Sequence, residues 1–254
     1  MRFIGIIPAR YASTRFPGKP LAMLGGMTVI ERVYRQVQGC VDDVCVATDD
    51  ERIASAVAAF GGRAVMTSAD HRSGTDRISE AYTLLHCTHD VVVNIQGDEP
   101  FIQPSQLQAV CACFDDDATD IATLVKPFAP TDGLAALENP NSPKVVVDGR
   151  GHALYFSRSV IPYLRGVERS QWLQRHTFLR HIGLSAYRAD VLQAITALPP
   201  SPLETAESLE QLRWLQAGYT ITVATTTTDT VGIDTPDDLL RAEQFLNHGR
   251  QQQQ

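Results

Sequence analysis

The stretch "FIGIIPARYASTRFPGKPL", Phe3 to Leu21, decides how the chain is read. Phe3 to Pro8 is apolar throughout, too short for a helix and closed by proline, the pattern of a strand buried on both faces of a parallel sheet. The segment that follows is polar, carries Pro17, Gly18 and Pro20, and is cationic. Arg2, Arg10, Arg15 and Lys19 stand in a chain of formal net charge −7, and no acidic residue precedes Glu31. Crowded cations repel one another, so such a loop calls for an anion supplied from outside. The loop after a strand of an open α/β sheet faces the ligand crevice, so a small anionic ligand is expected there.

Outward from this stretch the pattern alternates. Val29, Val33 and Val37 form a helical stripe within Thr28–Gln38 that stops at Gly39. Val44–Thr48 reads as a strand, Glu51–Phe60 as a helix opened by Asp49-Asp50, Ala64–Met66 as a short strand and Gly74–Leu85 as a helix. "DVVVNI", Asp90–Ile95, is another buried strand, running into Gln96-Gly97-Asp98-Glu99-Pro100. Strand, loop, helix, strand, helix is the doubly wound order, and carboxylates at the end of a parallel strand lie where such sheets bind ligands. Further on, Lys144–Val147 and His152–Phe156 flank Asp148-Gly149 as a hairpin. Ile182–Tyr187 and Tyr219–Val223 read as strands, Leu203–Leu215 and Pro236–Leu246 as helices. The expectation is one α/β domain over residues 1–250, with a strand-rich insert at about 127–190 and a frayed polar tail at 251–254.

Composition narrows the classes. A hydrophobic fraction of 44% and a charged fraction of 20% are ordinary for a globular protein, and the acidic balance disfavours nucleic acid and membrane surfaces as partners. No apolar run approaches the roughly 18 residues of a membrane span, and no secretory pattern opens the chain, so a cytoplasmic location is expected. The five cysteines are odd in number and sit mostly in apolar segments, where a thiol packs as a small hydrophobe. Two phosphate motifs are excluded: no G-x-G-x-x-G follows the first strand, and Gly18-Lys19 lacks the preceding glycine of a P-loop. No Ser-His-Asp or Cys-His arrangement stands out.

Local chemistry marks further positions. Ser73 reads as an N-cap with Asp76 three residues on. Thr235, Pro236 and Asp238 make another helix start, leaving Asp234 just outside the cap. Asp98 in "QGDEP" and Asp234 in "GIDTP" each end an apolar segment two residues before proline, and only the fold can bring them together.

The segments "IPARYASTRFPGKPL", "VATDD", "HRSGTDR", "VNIQGDEP", "ALYFSR", "FLRHIGLSAYR", "SPLETAESLEQLR" and "GIDTPDDL", in this order along nearly the whole chain, resemble the 3-deoxy-manno-octulosonate cytidylyltransferase family. The resemblance implies a Rossmann-like nucleotidyltransferase fold, a mostly parallel twisted sheet flanked by helices. It also implies CTP and the sugar acid Kdo as substrates, CMP-Kdo and pyrophosphate as products, magnesium (Mg2+) as cofactor, a role in lipopolysaccharide biosynthesis, and a homodimer. Carried over position by position, Arg10, Arg15 and Lys19 would contact the CTP phosphates, and the backbone of Pro8 and Ala9 would lie under the nucleotide. Ser73, Gly74 and Arg77 would approach cytosine and ribose, with Ser73 also capping its helix. Gln96 would read the substrate or bond its neighbours. Asp98 and Asp234 would be metal ligands, and with Arg10 and Lys19 the catalytic set. Arg158, His181, Tyr187 and Glu210 fall in the part that would bind Kdo; the resemblance departs at Ser185, where the family pattern carries tyrosine.

Overall fold

A computed structural model describes residues 1–229 and 232–251, with side chains described as far as 247. The chain divides into two compact units, Met1–Leu107 with Thr230–Gln254, and Gln108–Asp229. The strands expected in the 127–190 insert lie in the second unit. Of the expected tail, Gln251 ends a helix and 252–254 lie outside the described residues.

In the first unit, β1 (Phe3–Ala9) is followed by the small hairpin β2 (Met23–Leu24) and β3 (Met27–Thr28), then α1 (Val29–Val37), β4 (Asp43–Thr48), α2 (Glu51–Ala59), β5 (Ala64–Met66), α3 (Gly74–Leu84) and β6 (Val91–Asn94). Their sheet runs β6-β1-β4-β5. All its pairings are parallel, with Gly5 opposite Val44 on one side and Val93 on the other. Ile4, Ile6, Ile7 and Val91 to Val93 are fully buried, as continuous apolar runs require when helices cover both faces of a sheet. The helices begin where side-chain oxygens can accept the free N–H groups of the first turn: Thr28 caps α1, Asp50 caps α2 and Ser73 caps α3.

α4 (Pro104–Ala112) leads to the second unit: β7 (Ile121–Pro127), α5 (Gly133–Glu138), β8 (Lys144–Val147), β9 (Ala153–Ser157), α6 (Trp172–Arg175), β10 (Leu179–Arg188), α7 (Ala189–Thr196), α8 (Pro202–Glu207), α9 (Gln211–Gln216) and β11 (Ile221–Thr225). β7 is central, antiparallel to β10 and parallel to β11. β8 and β9 form the expected hairpin. Phe128, Leu137, Trp172 and Phe178 build a local core. Lys144 is fully buried, its ammonium donating to the carbonyls of Asn139 and Ser142 at 3.0 and 2.9 Å.

Two helix expectations are corrected. Leu203–Leu215 is not one helix: α8 and α9 are separated at Ser208, which has a left-handed φ of 51°. Arg158, just after β9, stabilises the break. It donates to the carbonyls of Glu207 and Ser208, which would otherwise accept from the next helical turn, while the Glu207 carboxylate accepts from the Ser157 hydroxyl and the Arg158 N–H. The closing helix, α10 (Pro236–Gln251), runs past Leu246, since no proline follows to stop it. α4, β7 and α7 go beyond the pattern reading.

Candidate functional site

The C-terminal edge of the parallel sheet in the first unit holds a cleft of about 270 Å³. β1 delivers Pro8 and Ala9 to its floor, the cationic loop supplies Arg10, Arg15 and Lys19, the start of α3 supplies Ser73, Gly74 and Arg77, and the segment after β6 supplies Gln96 and Asp98. Asp234 comes from the turn two residues before α10. Every residue expected on the nucleotide and metal side therefore lines one cleft.

Its shape rests on close backbone approaches. The loop is cinched where the Gly18 N–H donates to the Tyr11 carbonyl at 2.9 Å, and Gly18, at φ 71°, turns the chain into a 3-10 turn over Lys19–Leu21 with Pro20 buried beneath. A Cβ on Gly97 would stand 2.8 Å from the Pro8 carbonyl oxygen, so only glycine lets the segment after β6 pass the end of β1 undisturbed. Asp234 reaches the cleft because Ile233, fully buried with Leu24 and Val29, anchors the chain ahead of α10. The Ile233 N–H donates to the Asp98 carbonyl at 2.9 Å, which brings the two aspartates side by side. Asp238 accepts from the N–H groups of Asp234 and Thr235 and from the Thr235 hydroxyl, and with Arg241 these bonds hold its carboxyl down at about 2.

The charges are arranged around Lys19. Its ammonium lies 2.6 Å from Asp98 Oδ2 and 3.3 Å from Asp234 Oδ1, and Arg15 reaches the same Asp234 oxygen at 3.0 Å. Glu99, next along, is pushed up to about 7 by burial and then by the charge of Asp98. The exposed Arg10 side chain makes no hydrogen bond or ion pair among the described residues. Arg77 is buried and committed, donating to Asp49 Oδ2 at 2.8 Å and Thr67 Oγ1 at 2.7 Å. Ser13, His71 and Arg72 line the cleft without having been singled out by motif. His71 Nε2 lies 2.5 Å from Glu80 Oε2, and this contact lowers the Glu80 carboxyl. A histidine and an acid nine residues apart, one in a loop and one in a helix, carry no local signal.

Arg158, His181, Tyr187 and Glu210 belong to the second unit. Arg158 spends its guanidinium on the backbone carbonyls of Pro140, Glu207 and Ser208. His181 is packed edge-on against Phe156 and bonded through Nε2 to Thr123 Oγ1 at 2.9 Å; burial alone lowers its pKa to about 4. Thr123 Oγ1 also lies 2.8 Å from the Leu184 carbonyl, to which it can donate while accepting from a neutral His181. Tyr187 is buried, its ring perpendicular to Trp214. Glu210 precedes α9 and accepts from Arg213 at 3.0 Å.

A cationic cleft at the end of a parallel sheet, with two carboxylates meeting on one positive charge, suits an anionic nucleotide and an oxygen-seeking metal ion. Comparison with known proteins agrees. A family model described as cytidylyltransferase matches residues 4–221. The 3-deoxy-manno-octulosonate cytidylyltransferase of Phocaeicola vulgatus is 70% identical over 97% of this chain and 98% of its own. That of Bacteroides thetaiotaomicron is 65% identical over 98% and 99%. The solved structure of a CMP:2-keto-3-deoxy-manno-octonic acid synthetase complexed with CTP superposes with a TM-score of 0.88 at 42% identity, covering 98% of this chain and all of that one. With fold, cleft and near full-length identity in agreement, the chain belongs to the 3-deoxy-manno-octulosonate cytidylyltransferase family.

Proposed function

We propose that the protein transfers the cytidylyl group of CTP to the anomeric C2 hydroxyl of Kdo, giving CMP-Kdo and pyrophosphate for lipopolysaccharide biosynthesis. The observation that carries this reading is the Lys19 ammonium set against Asp98 and Asp234 in a cleft walled by Arg10 and Arg15. Arg10, Arg15 and Lys19 hold the triphosphate, offering planar forks and a point charge to its oxygens. Pro8 and Ala9 carry the nucleotide on backbone, while Ser73, Gly74 and Gln96 face the base and ribose. Arg77 shapes this wall, with both terminal nitrogens of its guanidinium bonded to Asp49 and Thr67.

Asp98 and Asp234 would hold Mg2+. The donor chemistry fits: two carboxylate oxygens already converge on one cation. Magnesium characteristically takes one or two carboxylates and leaves the rest of its shell to phosphate and water. When bound it supplies charge neutralisation at the α-phosphate. The chain's own cations do the same for the pyrophosphate that leaves, so positioning and electrostatics suffice and no covalent nucleophile is needed.

On the acceptor side, Glu210 and His181 are assigned to the sugar acid. Arg158 and Tyr187 hold its walls, Arg158 by fixing the bend at Ser208 that precedes Glu210. The proposed assembly is a homodimer joined through the second unit, and the proposed site of action is the cytoplasm. No helix among the described residues is long and apolar enough to cross a membrane. The test is pyrophosphate release with Mg2+, Kdo and each nucleoside triphosphate. Release is expected with CTP and strongly reduced with ATP or GTP, because a site that hydrogen-bonds a base edge rejects analogues that leave its groups unmatched. Equal release with ATP would overturn the reading.

A further inference from the structure

We infer that Lys19 is the stand-in for the metal: its ammonium keeps Asp98 and Asp234 assembled while the nucleotide is absent and blocks a divalent cation from the pair until a triphosphate draws it away. The inference rests on the proposed assignment of these aspartates as metal ligands.

Three observations carry it. First, one nitrogen serves both carboxylates, so the separation of Asp98 Oδ2 and Asp234 Oδ1 is bounded by the sum of 2.6 and 3.3 Å. Two unpaired carboxylates at that range repel, and an ammonium between them is what makes the arrangement stable. Second, the ammonium is placed by the backbone. Gly18 in its left-handed turn, the buried Pro20 and the hydrogen bond from the Ala22 N–H to the Lys19 carbonyl at 3.0 Å fix the base of the side chain. Third, Lys19 is the sheltered partner. Its side chain is 13% exposed against 65% for Arg15, so solvent screens the Arg15 contact while Lys19 supplies most of the neutralising charge.

A divalent ion approaching alone must displace this ammonium, meet its repulsion together with that of Arg15, and give up its own water, which magnesium does reluctantly. A triphosphate removes the obstacle by exchange. Its oxygens take the ammonium, which swings on a flexible four-carbon stem, and the freed carboxylates take the metal. Nothing covalent changes. Metal and nucleotide thereby raise each other's affinity by the same factor.

The test reads metal uptake rather than turnover, with Mn2+ alone as the probe and the free-ion electron paramagnetic resonance signal as the measurement. Lys19→Met is expected to bind one Mn2+ at least about tenfold more tightly than the wild type, a coupling in the usual range. Adding Asp234→Asn to Lys19→Met should abolish that uptake, and Arg165→Met, which removes an exposed cation of the second unit, should leave Mn2+ uptake as in the wild type. Lys19→Gln provides a second variant, and circular dichroism melts check that each is folded. Equal uptake by wild type and Lys19→Met, lost in both on Asp234→Asn, would overturn the inference and leave the metal pair standing. Uptake by neither, or uptake indifferent to Asp234→Asn, would overturn the metal assignment along with it.

Discussion

The guanidinium of Arg77 donates to Asp49 Oδ2 at 2.8 Å, from a side chain only 5% exposed to one 17% exposed. Its other terminal nitrogen donates to Thr67 Oγ1, which in turn donates to the Thr48 carbonyl at 3.2 Å. One buried cation thus ties the first turn of α3 to the ends of β4 and β5, in the wall of the cleft. Arg77→Met should cost about 3 kcal/mol, because it leaves the largely buried Asp49 without its ionic partner. Arg77→Met with Asp49→Asn should recover part of the loss. Urea unfolding of the single and double variants measures the coupling.

Gly97→Ala places a methyl group 2.8 Å from the Pro8 carbonyl oxygen, a backbone atom that cannot yield without moving β1. The expected result is a loss of about 1–3 kcal/mol, in the range of overpacking, and a drop in turnover larger than in a surface control such as Gly149→Ala. Thermal melts and pyrophosphate release check both parts.

Asp98→Asn and Asp234→Asn should each remove most pyrophosphate formation, and the double variant should lose little more, because groups that act as one unit are non-additive. Both carboxylates are partly exposed and pair with cations in a solvated cleft. Each substitution should therefore change stability by no more than about 1 kcal/mol. Near-normal turnover in Asp234→Asn would remove it from the catalytic set.

His181 predicts a pH dependence. Burial holds its folded pKa at about 4, against about 6.5 in an unfolded chain, so the unfolded state binds more protons between these values. Its contribution to stability is complete above about pH 6.5 and falls by about 1.4 kcal/mol per pH unit on acidification toward 4. His181→Gln lacks this loss. Urea midpoints at pH 7, 5.5 and 4.5 should show the gap between wild type and variant narrowing, or reversing, as the pH drops.

The sequence by itself determined what is written locally. The apolar runs of β1 and β6, the valine stripe of α1 and the oxygens of Thr28, Asp50, Ser73 and Thr235 at helix starts specify an α/β alternation, because strand burial and N-capping depend on residues a few positions apart. The cationic loop was legible for the same reason: charge crowding and the absence of acids are visible in one segment. Only the tertiary structure decided what distant groups do to one another. It put Lys19 between Asp98 and Asp234, gave Arg77 to Asp49, and placed His71 on Glu80. It also let Arg158 claim the carbonyls of Glu207 and Ser208, which stabilises a break in the middle of a segment with continuous helical pattern from Leu203 to Leu215. Hydrogen bonds and ion pairs of this kind act over a few ångströms in space and have no period along the chain, so folding has to bring the partners together before their chemistry is defined.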